Sequence, residues 1–194
     1  MSTPPVPYVS PDNYLAEERT APFKSEYYSG QVWARPRVSR EHDAIAVNLT
    51  ALMRGLLRGT PCWGFTSNMR VAVTDTLYTY PDLTIVCGEA HFRDPHVDTL
   101  TNPTVLIAIL SPSTANDNRV VKFGRCRRLP SLREYILVHQ NAFRVERFER
   151  TSDVWETYEY QGETAVLELS SAGVSVPLAA IYEDVAFPAA EENV

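Results

Sequence analysis

The chain of 194 residues is somewhat longer than the roughly 150 of an average domain, and its 44% hydrophobic, 10% aromatic and 22% charged side chains exclude a disordered polymer and favour one folded unit. Eighteen Lys and Arg against 24 Asp and Glu leave a formal net charge of -6, which excludes a bulk polycationic binder of nucleic acid and confines any such site to a local positive patch. Three cysteines, Cys62, Cys87 and Cys126, are odd in number and form no CxxC pair, so a disulfide framework and a zinc cage are both disfavoured and a reducing cytoplasm is expected.

Residues 1–9, with three prolines among the first seven, read as a flexible arm. No basic stretch followed by an apolar run opens the chain, and no segment approaches about 18 consecutive apolar residues, so secretion and membrane insertion are not expected. Ser10 and Pro11 supply an N-cap and a first-turn proline for a short helix from Asp12 to Arg19. Glu26 to Gly30 reads as a helix end or turn that reverses at Gly30 into a strand from Gln31 to Arg35. The clearest helix runs from Arg40 to Leu57, capped by Ser39 and ended by Gly59, with Ile45, Leu49, Leu52 and Leu56 on one face. Strands are expected at Cys62 to Phe65, Met69 to Val73, Leu83 to Cys87 and Val105 to Leu110, the last two nearly unbroken apolar runs suited to the middle of a sheet. A second helix from Arg119 to Leu129 precedes strands at Tyr135 to His139, Phe143 to Phe148 and Trp155 to Tyr160. The fold class is therefore α/β or α+β, a single domain over residues 10–187 with a loose acidic tail at 188–194.

Within Tyr80-Pro81-Asp82-Leu83, an acidic residue stands at the mouth of an apolar strand. Asp82 is either a turn aspartate bonded to its own backbone or a buried carboxylate that needs a metal or a basic partner. Further on, Val105 to Leu110 runs into Ser111-Pro112-Ser113-Thr114, with Lys122 nine residues after Ser113. Together with Arg127-Arg128-Leu129-Pro130-Ser131-Leu132-Arg133-Glu134-Tyr135, and with Glu26-Tyr27, Gly30 and His42 upstream, these ordered motifs make the chain resemble the Uma family of restriction-endonuclease-like bacterial proteins, within the PD-(D/E)XK nuclease superfamily. The likeness covers about Ser10 to Phe187.

The resemblance implies a mixed central sheet flanked by helices and a Mg2+- or Mn2+-dependent endonuclease acting on DNA phosphodiesters. Such a site gathers carboxylates and a backbone carbonyl around a hard cation, with a lysine to stabilise charge. Carried over by residue, Asp82 matches the first metal carboxylate, Glu26 a helix carboxylate that helps bind metal, Ile109 the backbone carbonyl and Lys122 the displaced lysine. The second strand carboxylate is missing, because Ala108 stands where the family has glutamate. Asn118 and Ser29 also replace aspartates of the pattern, although Asp117 lies next to Asn118. Ala108 leaves three explanations open: a deliberate inactivating change, natural decay to a binding module, or a site rescued by Glu26 and Asp117.

Arg119, Lys122, Arg125, Arg127, Arg128 and Arg133 crowd one segment of an acidic protein. They form either a phosphate-tracking patch, with Arg119 and Arg125 as substrate contacts, or a solvated face paired with Glu134, Glu146 and Glu149. His42 is either a substrate contact at the helix start or an exposed first-turn residue. His91, Asp94 and His96 match no standard metal spacing, the cysteines suit small buried hydrophobes, and the motifs of acyl hydrolases, ATPases and dehydrogenases are absent. The expectation is a cytoplasmic, metal-dependent endodeoxyribonuclease impaired at Ala108. The alternative is an inactive nuclease-like module that binds nucleic acid or protein, and the family likeness implies a homodimer.

Overall fold

The computed structural model describes residues 7–35, 37–110 and 121–187. Helix α1 (Pro11–Glu18) starts at Ser10, whose hydroxyl accepts the Asn13 N–H at 3.2 Å. Strands β1 (Ser25–Tyr28) and β2 (Gln31–Ala34) form a hairpin across Ser29 and Gly30. Glu26 therefore sits on a strand, not at a helix end. The two-residue loop demands left-handed backbone, which Ser29 adopts at φ 46° and Gly30 at φ 90°. Gly30 also lies under the Tyr8 ring, and its carbonyl accepts the Val9 N–H at 3.0 Å.

Helix α2 (Arg40–Leu56) is capped by the Ser39 hydroxyl as expected. Its buried stripe is His42, Ile45, Leu49 and Met53, so Leu52 is only half-buried and Leu56 is exposed. Strands β3 (Cys62–Thr66), β4 (Arg70–Thr74), β5 (Leu77–Thr79), β6 (Leu83–Cys87), β7 (Thr99–Leu100) and β8 (Val105–Leu110) follow. After them come α3 (Phe123–Cys126), β9 (Glu134–His139), β10 (Arg144–Thr151), β11 (Val154–Gln161), β12 (Val166–Leu169), β13 (Val174–Pro177) and α4 (Leu178–Ile181). Of the helix expected from Arg119 to Leu129, the described part is this short α3; Ser111 to Thr114, Asp117, Asn118 and Arg119 lie outside the described residues.

A six-stranded mixed sheet, in the order β11-β10-β9-β8-β6-β3, has one parallel pair, β8 with β9. All six residues of β8 are buried, which explains its unbroken apolar sequence. Its Ile107 and Ile109 face α2, α4 and the β12-β13 hairpin, whereas Leu106, Ala108 and Leu110 face Phe123, Cys126, Tyr135 and the second sheet. That second sheet, ordered β2-β1-β5-β4-β7, carries α1 on a cluster of Tyr14, Leu15, Tyr27, Ala72 and Tyr78. Glu26, on β1, thereby comes to line one cavity with Asp82, just ahead of β6, and Ala108 on β8.

The cysteine expectation is overturned for two of the three. The antiparallel register of β3 and β6 sets Cys62 opposite Cys87 at a Cα separation of 3.9 Å, and the two form a disulfide. The cysteine count thus gives no support for a reducing compartment. Cys126 is a buried free thiol, as a small hydrophobe would be. Among the described residues no helix is long and apolar enough to cross a membrane.

Candidate active site

A cavity of about 470 Å3 opens between the β1-β2 hairpin, the start of α2, the β5-β6 corner, β8 and α3. Glu26, His42, Asp82, Ala108, Ile109, Lys122 and Arg125, far apart in the chain, all line it. Of the residues expected at the site from sequence, Arg119 and the candidate rescuer Asp117 lie outside the described residues.

Asp82 is held by both backbone and side chain. Its N–H donates to the Ile107 carbonyl at 3.0 Å, and its carboxylate accepts the Ile109 N–H at 2.8 Å, so it bridges the backbone on either side of Ala108. The same carboxylate accepts from Arg35 at 3.0 Å and lies 3.5 Å from His42 Nε2. Burial alone would raise its pKa. The His42 contact, the Arg35 guanidinium and the Ile109 N–H together outweigh that and hold the carboxyl below its usual range. The demand of a buried carboxylate for a cation is met here by Arg35, at the end of β2, while His42, at the start of α2, adds a polar contact. His42 is buried, not the exposed first-turn residue that one reading allowed, and its Nδ1 has no hydrogen-bond partner among the described residues.

Glu26 forms the second group. It accepts from the Thr79 hydroxyl at 2.7 Å, and Lys122 Nζ lies 2.8 Å from Oε2 and 3.1 Å from Oε1. Arg125 stacks over the Tyr28 ring, 3.6 Å from its centroid, and fastens α3 to β1. Ile109 meets Asp82 through its N–H, and Ala108 brings only a buried methyl to the cavity wall.

Arg35 and Thr79 escaped sequence reasoning. The one usable signal was electrostatic, since an aspartate at the mouth of an apolar strand needs a cationic neighbour, but nothing local says which arginine supplies it. In the charge patch, the pairing with Glu134 that the solvated-face reading expected is not found. Glu134 is fully buried and accepts the Ser170 and Ser171 N–H groups at 3.1 and 3.2 Å, with Arg147 at 3.6 Å, so it pairs with none of the α3 cations.

The donor chemistry decides how far these residues suit a divalent ion. A hard cation of the Mg2+ type needs several oxygens at one point. Asp82 and Glu26 each already hold a cationic side chain, Ala108 has no oxygen, and no three His, Cys, Asp or Glu side chains among the described residues are grouped to hold an ion. The set does not fit a resident metal as it stands.

Residues 11–179 match the family model Uma2, described as "Putative restriction endonuclease". The chain belongs to the Uma2 family. Two uncharacterized proteins of Synechocystis sp. (strain ATCC 27184 / PCC 6803 / Kazusa) are similar along most of their length. Slr1290 is 31% identical over 185 residues, covering 94% of this chain and 96% of the relative. Sll1609 is 33% identical over 159 residues, covering 81% and 90%. A crystal structure from Anabaena variabilis ATCC 29413, described as a putative nuclease belonging to DUF820, superposes with a TM-score of 0.73 at 17% identity, over 90% of this chain and 97% of that one. The nuclease-like fold expected from sequence is thus the observed one, and members of such a family generally use divalent metals on nucleic acid.

Proposed function

We propose that this Uma2 protein binds DNA phosphodiesters in the cavity around Asp82, Glu26 and Lys122, and that its Mg2+- or Mn2+-dependent endonuclease activity is impaired by Ala108. The observation that carries the reading is the convergence of two carboxylates and a lysine on one cavity whose β8 wall presents a methyl group. Loss of even an outer partner of a metal costs about 10- to 100-fold in affinity or activity, and loss of a direct oxygen ligand at least that much.

The test compares DNA cleavage with Mn2+ by the parent, Ala108→Glu and Ala108→Glu/Asp82→Ala. The parent is expected near background, the reversion at least about tenfold faster, and the double variant back at background. A reversion that stays folded by circular dichroism and takes up Mn2+, yet cleaves no faster than the parent, refutes the reading. Ala108→Asp, one methylene shorter, serves as the second variant should glutamate overfill the wall.

A second reading is an inactive module, dimeric in solution, that binds nucleic acid or protein. It is favoured by the ion pairs themselves, because Arg35 and Lys122 already neutralise the two carboxylates. DNA binding without cleavage by every variant, with a dimer mass in sedimentation, distinguishes it.

A further inference from the structure

On the other side of α3 lies a second hollow, of about 570 Å3, lined among others by Arg127, Arg128, Arg133, Arg150, Asp153 and Trp155. Four arginines meet one aspartate there, in a protein whose formal net charge is -6. Its frame is fixed. Arg150 donates to the Pro130 carbonyl at 3.2 Å and to the Arg127 carbonyl, and its guanidinium carbon lies 4.8 Å from the Trp155 ring centroid. The Trp155 ring in turn meets Phe123 edge-on at 5.2 Å. With Arg150 and Trp155 locked into the wall, Arg127, Arg128 and Arg133 are left as the exposed cations of the rim, and none of them has a carboxylate partner among the described residues. Burial and the charges of Arg133 and Arg127, only partly offset by Asp153, hold the Arg150 pKa below its usual value.

Helix α3 divides this hollow from the candidate active site. Lys122 and Arg125 line the first cavity, while Gly124, Arg127 and Arg128 line the second. A polyanion that crosses α3 therefore passes from one set of cations to the next without leaving the surface.

We propose that Arg127, Arg128 and Arg133 form a backbone-binding subsite that grips phosphates of duplex DNA flanking the segment held in the cavity. Guanidinium forks match phosphate oxygens in pairs, which suits phosphodiesters. Trp155 is already packed by Phe123 and Arg150, so the hollow has no free ring for a splayed base and reads the backbone alone. An acidic protein partner is disfavoured, since Trp155, the one large ring of the hollow, is already packed by Phe123 and Arg150 and leaves no free apolar anchor.

This inference rests on the nucleic-acid reading above, and the two fail separately: cleavage by Ala108→Glu tests that reading, and salt-dependent binding tests this one. The full chain is titrated against labelled duplex DNA over a range of salt, beside an Arg127→Ser/Arg128→Ser/Arg133→Ser triple variant and the corresponding triple lysine variant. Each phosphate that a variant no longer neutralises flattens the slope of log affinity against log salt by about 0.9, so the serine variant is expected to lose between two and three units of slope and about tenfold or more in low-salt affinity. The lysine variant is expected to keep the slope, because charge is retained. A serine variant with the parent's slope and affinity overturns the subsite, as does a parent that binds no duplex at low salt. Inorganic phosphate at matched ionic strength is the further arm: displacement of the duplex by it marks a free-anion site and overturns the polymer assignment, and retention of the duplex supports it. Unchanged melting temperatures show that the variants are folded.

Discussion

The corner that delivers Asp82 to the cavity hangs on a charge network behind the second sheet, and Asp98→Asn tests how much that network contributes. Arg70, buried on β4, donates from Nε to the Thr99 hydroxyl at 2.9 Å and from Nη1 to the Tyr80 hydroxyl at 3.3 Å, with Nη2 3.1 Å from Asp98. Arg19, at the end of α1, reaches Asp98 at 2.7 Å and Asp94 at 2.6 Å. Tyr80, two residues before Asp82, is thus fixed through an arginine whose charge is compensated by Asp98. Removing one partner of a fully buried pair costs about 3 to 5 kcal/mol because the other charge stays behind. Asp98 keeps 32% of its side chain exposed, so solvent screens part of that loss and about 2 kcal/mol is expected. With a urea dependence of about 2 kcal/mol per molar, the unfolding midpoint falls by about 1 M. The sign with pH is fixed. Burial would raise the Asp98 pKa, but Arg19, the Thr99 hydroxyl and Arg70 bring it down to about 2. Its unfolded value is about 3.9, so the stabilisation is complete above that and is lost as pH falls toward 2. The gap between parent and Asp98→Asn should close over that window in urea titrations. A gap below about 0.5 kcal/mol near pH 7, or one that persists undiminished at about pH 2, refutes the reasoning.

Two further outcomes test the frame. Alkylation of the unfolded chain without reductant should label one cysteine, Cys126, and reduction should expose three. With its ends separated by 25 positions in sequence, the Cys62–Cys87 bridge is worth about 3.5 kcal/mol in the chain-entropy account, so reductant should lower the melting temperature of the parent and leave Cys62→Ser/Cys87→Ser unmoved. Gly30→Ala forces a side chain into left-handed backbone, and its Cβ would stand 2.1 Å from the Tyr8 ring. A loss of about 1 to 3 kcal/mol is expected by denaturant titration, with faster proteolysis ahead of α1 as Tyr8 is displaced.

What the sequence disclosed and what it hid divide along the distance between partners. Val105 to Leu110 was legible as a central strand because burial on both faces leaves no polar position, but for the same reason its periodicity could not say which side chains face the cavity; only the family likeness singled out Ala108. The long helix was legible from its cap and its stripe, although the last turns present Met53 where spacing favoured Leu52 and Leu56. Glu26 reads from sequence as part of a helix end or turn because β1 is four residues long, too short for alternation to declare itself. Arg35, Thr79 and the Cys62–Cys87 bridge depend on strand register, which no local pattern in this chain specifies.

Asp82 draws its environment from such long-range pairings. A carboxylate buried at a strand mouth can be neutralised by an ion from solution or by a side chain of the same fold. Here the β1-β2 hairpin carries Arg35 to within 3.0 Å of it, so the electrostatic demand of Asp82 is met by a side chain as the chain folds, with His42 on α2 a further contact at 3.5 Å. Glutamate at position 108 would reopen that demand, because a further carboxylate facing the same cavity raises the cost of negative charge there. The reverted site must then either keep one carboxyl protonated or admit a cation. If it admits one, Arg35 has to yield its hold on Asp82, and Arg35→Met in the Ala108→Glu background should tighten Mn2+ uptake relative to Ala108→Glu alone, measured by titration calorimetry. Weaker uptake in the double variant would show that Arg35 supports the cavity and does not compete for it.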